Sequence, residues 1–306
     1  QGKEELDLMS GSVEAAIRKQ AQVAGTSGVP GNEQRIGEIL VAQGSISDAD
    51  IDAILQHAER KGMLFGEAGI ALKLFSKKDL DTALAKQFRF PYVQPSRGSF
   101  SKELVVAYKP FSRAAELFRN VRASLMLDGY QRDKKLLGIV SPNKKDGRSY
   151  VAANLAVAFA QMGKRTVLVD GHLREPRQQD IFQIDMSHGV TTLLSGYKSG
   201  SEIGDAIAEI PNLHLVTAGA AAPNPEELIA SDAFGQIIQD LRKQYDIVLV
   251  DTPPGGAGSA ADWIAARCGN VLLVNRRDRT RLSDARDFAD RMRSRATVVG
   301  AILNTR

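Results

Sequence analysis

A doubly wound α/β domain built on a parallel sheet is the fold class predicted for the larger part of the chain, with a small, mainly helical repeat domain before it. Two observations carry that expectation. From residue 135 onward the short apolar runs LLGIV, TVLVD, LHLVTAG, DIVLVD, NVLLVN and TVVGAILN recur, separated by helical stretches. Continuous apolar strands alternating with helices bury both faces of a parallel sheet. Upstream, RIGEILVAQGSISDADIDAIL from Arg35 and LFGEAGIALKLFSKKDLDTAL from Leu64 align without a gap at a 29-residue offset, which marks an internal repeat.

Residues 1–30 are polar and rich in Gly, Ser and Gln, and read as a flexible tail with one short helix around Val13 to Ala21. Residues 31–94 read as the helical two-repeat domain, in which Gly37 matches Gly66, Glu38 matches Glu67, Ile51 matches Leu80 and Leu55 matches Leu84. Each unit is expected to be a short helix, a turn and a second helix capped by Ser47 or Ser76. Residues 95–111 are expected to form a linker, polar from Pro95 to Lys102 and closed by the helix breaker Pro110. The α/β domain then occupies residues 112–306 and opens on a helix from Ser112 to about Leu127.

Composition narrows the classes. A hydrophobic content of 43% and a charged content of 25% over 306 residues are ordinary for a globular chain with a sizeable core. The only cysteine, Cys268, excludes an internal disulfide framework and fits a reducing compartment, so the expected location is the cytoplasm. No apolar run approaches the ~20 residues that cross a bilayer, so a peripheral place at the inner membrane face would come through a partner. The net charge of +4 is local, because Arg276 to Arg295 holds eight Arg against four Asp. That stretch reads as a solvated helix face laced with Arg/Asp pairs, and with Phe288 its one aromatic residue no nucleic acid is expected as a partner.

In an open parallel sheet ligands bind beyond the carboxyl ends of the strands, which directs attention to the loop after the first strand. There SPNKKDGRSYVAANLAVAFAQ follows LLGIV, and Gly147, Arg148 and Ser149 open a long helix whose first amides can cradle phosphate. The pattern G-x-x-x-x-G-K-[ST] is not met strictly, since Pro142 stands at the first Gly and Arg148 at the Lys. Two further carboxylates close apolar strands at the same edge, Asp170 after TVLV and Asp251 after DIVLV. A strand-end Asp holds magnesium through water in nucleotide-binding sheets, so the loop and both Asp residues converge on a P-loop NTPase site for ATP and Mg.

The order S-x(5)-G-[KR]-S-x-x-A-A-N-L-A, then V-L-V-D-x-x-L-R-x-P-R, then Pro223, Asn224, Pro225, Glu227 and Leu228, then Y-D-I-V-L-V-D-T-P-P, resembles that of the bacterial tyrosine kinases controlling exopolysaccharide chain length. The upstream E-x-x-R-x-x-R motif matches as Glu116, Arg119 and Arg122. The resemblance implies an ATP-dependent protein-tyrosine kinase with Arg148, Asp170 and Asp251 catalytic. It implies magnesium on Ser149, Asp170 and Asp251, and nucleotide on Lys144, Lys145, Asp146, Gly147, Arg148, Ser149, Tyr150 and Asn304. It further implies a homo-oligomer ring through Glu116, Arg119 and Arg122, a membrane polysaccharide co-polymerase as partner, and a tyrosine-containing protein as substrate. The repeat domain resembles the N-terminal domain of type II secretion and type IV pilus assembly ATPases, some of which bind cyclic di-GMP. Of that ligand motif the first repeat keeps Arg35 but has Ala58 for the Gln, while the second keeps Gln87 but has Leu64 for the Arg; a structural or docking role is therefore expected there.

The chain departs from the family at the phosphate end. Arg148 replaces the loop Lys with a bulkier planar fork, Lys144 and Lys145 replace turn-permitting residues, and His172 replaces the second carboxylate of a D-x-D pair. The last tyrosine is Tyr245, so the acceptor is expected on another protein or at Tyr108 or Tyr130. The alternative is a catalytically degenerate kinase fold acting as a scaffold on the co-polymerase. A partitioning or septum-positioning ATPase is disfavoured, because Asn143 stands where those proteins carry their signature Lys.

Overall fold

The computed structural model describes residues 36–87, 93, 100–127, 136–186, 189–196 and 203–305. The expected tail with its helix at Val13 to Ala21, and the residues Arg35 and Tyr130, lie outside these. The chain divides into two compact units, residues 1–90 and 91–306.

In the first unit the described helices are Ile36–Ala42, Asp48–Lys61, Phe65–Ala71 and Lys77–Gln87. The repeat has a physical basis in two matched features. Ser47 and Ser76 donate, through both N–H and hydroxyl, to Asp50 and Asp79 three residues on, at 2.6–2.9 Å. A capped helix start of this kind stabilises by about 1 kcal/mol. The paired glycines also match: a Cβ on Gly37 would meet Ile51 at 3.2 Å, and one on Gly66 would meet Leu80 at 2.7 Å. Glycine therefore lets the second helix of each repeat press its apolar residue onto the first, around a core of Leu40, Ile54, Ala68, Phe75 and Ala83.

The second unit is a seven-stranded sheet of order β3-β4-β2-β5-β1-β6-β7. Its strands are β1 Leu136–Val140, β2 Thr166–Asp170, β3 Asp205–Ala206, β4 Leu213–Val216, β5 Ile247–Asp251, β6 Asn270–Arg276 and β7 Thr297–Asn304. All neighbours are parallel except the short β3, which pairs antiparallel with β4 at one edge. Each apolar run of the sequence supplies one strand, whereas the two exposed residues of β3 carry no such signal.

Alternation along the strands splits the core in two. Leu137, Ile139, Leu168 and Leu249 pack on one face with the helices Arg113–Leu127 and Arg148–Ala160. Val167, Val169, Val248 and Val250 pack on the other, with Asp232–Gln244 and Ala260–Cys268. Eleven residues of the helix Arg148–Ala160 are buried, so β1 and the helix that follows it form the centre of the unit.

The expected linker is corrected by its packing. Phe100, Leu104, Val106 and Ala107 are buried in the same core, and a short helix forms at Val105–Tyr108. Asn154 of the central helix binds this segment: its Nδ2 donates to the Glu103 carbonyl at 2.9 Å and its Oδ1 accepts from the Val106 N–H at 3.0 Å. Polar composition near Pro95 hid an apolar anchor, ELVVAY, whose backbone is satisfied by Asn154, by Gln161 Nε2 on the Val106 carbonyl and by main-chain bonds such as Val93 N–H to the Ala107 carbonyl.

Candidate functional site

The loop between β1 and the central helix is held by its own side chains. Asp146 is fully buried; its Oδ2 accepts from the Asn143 N–H at 2.9 Å and its Oδ1 accepts from the Thr280 hydroxyl at 3.0 Å. Asn304, at the end of β7, donates from Nδ2 to the Asp146 carbonyl at 3.0 Å. Two residues take left-handed backbone, Lys145 at φ 67° and Gly147 at φ 102°. The lysine carries the strain expected of a non-glycine residue there, about 1 kcal/mol.

Arg148 turns back beneath the loop. Its Nε donates to the Thr252 carbonyl at 2.9 Å, and its Nη1 donates to the Asn143 carbonyl at 2.8 Å and to the Ser141 hydroxyl. Burial lowers its pKa, and the charges of Asp251 and Asp146 oppose that shift. The guanidinium thereby ties the loop to the residue after β5, a bridge for which a fork of donors is suited.

Above the loop lies a cavity of about 500 Å³. Lys144, Lys145, Gly147, Arg148, Ser149 and Tyr150 form one wall, Arg276 and Asn304 a second, and His172, Glu175, Pro176, Arg177 and Glu103 a third. Lys144 Nζ meets Glu175 at 2.5 Å across the mouth, and Arg276 Nη1 donates to the Lys145 carbonyl at 3.1 Å. Asp146, expected to touch nucleotide, is absent from the wall because its carboxylate is consumed inside the loop.

The two strand-end carboxylates lie behind that wall. Asp170 and Asp251 are Cα partners on adjacent strands, and both are fully buried. Asp170 accepts three backbone N–H bonds, from His172 at 3.0 Å and from Arg177 and Gln178 at 2.9 Å each. Burial, and then the charge of Asp251, push its pKa up to about 7, against those three bonds. Asp251 is also raised by burial, opposed by Arg148 and by the Ser149 hydroxyl and Gln178 amide. Its Oδ2 accepts from Gln178 Nε2 at 2.8 Å, while Oδ1 has no partner of full hydrogen-bond geometry. His172 is held neutral near pH 7, its pKa lowered to about 4 by burial and then by Arg148.

Glu116, Arg119 and Arg122 stand apart, on the helix Arg113–Leu127. Glu116 is exposed, but Arg119 donates to the Pro110 carbonyl at 2.5 Å and Arg122 to the Ala158 carbonyl at 2.6 Å. Both guanidiniums thus bind within their own chain. Of the expected acceptors, Tyr108 donates its hydroxyl to the Phe100 carbonyl at 3.0 Å.

Sequence reasoning missed Gln178, Glu175, Arg276 and Thr280. Arg276 ends an apolar strand, a signal masked by its membership of an Arg-rich run. Gln178 carried no signal, being one polar residue in a polar turn.

No protein-family model matches the chain. It is 34% identical over 204 residues to the putative tyrosine-protein kinase CapB of Staphylococcus aureus, covering 66% of this chain and 88% of that one. The chain belongs to the bacterial tyrosine-protein kinase family. YwqD of Bacillus subtilis, named a tyrosine-protein kinase, is 30% identical over 214 residues, covering 69% of this chain and 90% of YwqD. Among solved structures, the chimerical protein CapA2B2 gives a TM-score of 0.62 at 30% identity, over 73% of this chain and 98% of that one. The kinase domain of Escherichia coli tyrosine kinase ETK gives 0.63 at 25% identity, over 69% and 84%. Arg148 and His172 both line the cavity.

Proposed function

We propose that the chain is an ATP-dependent protein-tyrosine kinase that regulates exopolysaccharide chain length or export, acting at the cavity above β1. The observation that carries this reading is the juxtaposition of Ser149, at the start of the central helix and in the cavity wall, with the Asp251 carboxylate behind it. The amides at that helix start, with Lys144 and Lys145 in the same cavity wall, suit a polyphosphate.

The donor set fits magnesium of the kind bound together with nucleotide. Among the described residues no three His, Cys, Asp or Glu side chains cluster into a preformed cage. A nucleotide-bound magnesium relies instead on one or two carboxylates, water and phosphate oxygens. The Asp251 carboxylate, which interacts with the Ser149 hydroxyl and whose Oδ1 has no hydrogen-bond partner, supplies such a position. When bound, the metal neutralises charge developing on the phosphates. Transfer joins a tyrosine oxygen to the γ-phosphorus of ATP, breaks the bond to the β–γ bridging oxygen, and releases ADP and the hydroxyl proton. Lys144, Lys145 and Arg276 contribute positive charge in the cavity wall. Asp170 and Asp251 are assigned to the metal side, and Tyr150 and Asn304 to the nucleotide.

A membrane co-polymerase is the proposed partner, which would bring the chain to the inner membrane face from the cytoplasm. Among the described residues no helix is long and apolar enough to cross a membrane. Ring assembly through Glu116, Arg119 and Arg122 would use the guanidinium donors not spent on the Pro110 and Ala158 carbonyls. For the repeat unit, with its resemblance to secretion ATPase domains, we assign a docking role rather than cyclic di-GMP binding.

A second reading, a scaffold without catalysis, is favoured by Arg148, whose guanidinium is committed to loop and Thr252 oxygens. Incubation with magnesium-ATP and detection of phosphotyrosine separates the two. Signal that disappears in Asp251→Ala supports the kinase, and no signal from the wild type together with no ATP binding supports the scaffold.

A further inference from the structure

One residue touches all three groups assigned to the metal. Gln178 is fully buried. Its backbone N–H donates to Asp170 Oδ2 at 2.9 Å, and its Nε2 donates to Asp251 Oδ2 at 2.8 Å and to the Ser149 carbonyl at 3.2 Å. A carboxylate turns about a soft terminal torsion with a broad preference, so a donor fixed on one oxygen decides where the other oxygen sits. With Oδ2 held by Gln178, the oxygen of Asp251 that remains unpartnered is Oδ1. The same amide grips the first turn of the central helix through the Ser149 carbonyl, so the spacing of Ser149 and Asp251 is set by one side chain. Gln178 Oε1 is itself buried and without a partner, a second open acceptor at this point.

We propose that Gln178 is the positioning residue of the magnesium site, a clamp that ties Asp170, Asp251 and Ser149 together and leaves Asp251 Oδ1 open for the metal's water. Asp170 acts through it: with three backbone N–H groups on its carboxylate, it anchors the turn that carries Gln178. Groups that orient metal ligands typically change metal affinity about 10–100-fold when removed, without contacting the metal. This inference rests on the nucleotide reading above.

The test uses the full chain with ADP and manganese as probes, following free manganese by its electron paramagnetic resonance signal and ADP binding in EDTA by calorimetry. In Gln178→Leu, which keeps volume and removes the donor, manganese affinity of the ADP complex should fall at least about tenfold, while ADP binding in EDTA stays close to wild type; the melting temperature falls, because Asp251 Oδ2 and the Ser149 carbonyl lose their donor, so both readouts are taken below the variant's unfolding transition. Unchanged or tighter manganese binding in a folded Gln178→Leu overturns the proposal, as does an equal loss of metal-dependent and metal-free ADP binding, which marks a packing role. If Gln178→Leu does not fold, Gln178→Glu decides by the same two readouts, because it keeps an acceptor at this position but loses the amide donor. A wild type that binds neither ADP nor manganese·ADP overturns the nucleotide reading itself, an outcome distinct from a defect confined to the variants.

Discussion

The His172 N–H donates to Asp170 Oδ1 at 3.0 Å, and burial drives these two side chains to titrate in opposite senses. Asp170, raised from 3.8 to about 7, keeps a proton that the unfolded chain releases, so its contribution to stability falls as pH rises through that window. His172, lowered from 6.5 to about 4, refuses a proton that the unfolded chain accepts, so its contribution rises with pH between those values. The two slopes oppose each other between about pH 4 and 6.5. Replacing His172→Asn removes the rising half. The variant should lose about 1–2 kcal/mol relative to wild type between the bottom and the top of that window, a figure discounted for the partial solvent contact of the imidazole. Urea unfolding at three pH values measures it, and parallel stability curves would contradict the assignment.

Arg148 is bonded to the backbone on both sides of the site, at Asn143 and at Thr252. Truncation takes the donor from the buried Thr252 carbonyl and leaves the Asn143 carbonyl with the Ser141 hydroxyl alone, and each charge-assisted bond is worth about 1.5–3 kcal/mol. Arg148→Ala should therefore cost about 2–4 kcal/mol in chemical denaturation, independent of any nucleotide. A loss under about 0.5 kcal/mol, the range of ordinary surface changes, would show that the loop does not depend on this staple.

Glu175 holds Lys144 across the mouth of the cavity, with both side chains about half exposed. A phosphate arriving at the loop competes with that carboxylate for the same ammonium. Glu175→Gln should tighten ATP binding about two- to tenfold, in line with the roughly 1 kcal/mol of an exposed ion pair. Weaker binding in this variant would show that Glu175 supports the site instead of competing for it.

Thr280 accepts from the Arg276 N–H at 2.9 Å and donates to buried Asp146 at 3.0 Å, joining the end of β6 to the loop. Thr280→Val keeps the shape and removes both bonds. The expected loss is about 1–3 kcal/mol, the cost of leaving a buried acceptor without its donor. Melting curves of the variant test this, and an unchanged midpoint would contradict it.

The sheet was legible because its central strands are buried on both faces and so read as unbroken apolar runs, from LLGIV to NVLLVN, while the edge strand TVVGAILN keeps an apolar run although its residues are exposed or half-buried. The loop, Ser149 and both strand-end carboxylates were legible for the same reason, since a strand's end is fixed by where its apolar run stops. What escaped notice depended on contacts distant in sequence. Asn154 draws residues 103–106 into the core, Gln178 spans 73 positions to reach Asp251, and Thr280 reaches Asp146 across 134. The direction of a side chain was equally hidden: Asp146 and Arg148 lie in the loop as expected, yet one carboxylate and most of one guanidinium serve the loop itself.

Binding of a fluorescent ATP analogue to the wild type and to Ser149→Ala, with and without magnesium, addresses the central claim most directly. The account predicts saturable binding that magnesium strengthens, that unlabelled ATP displaces, and that Ser149→Ala weakens only when magnesium is present. Saturable binding that is indifferent to both magnesium and Ser149, or no saturable binding at all, would contradict it.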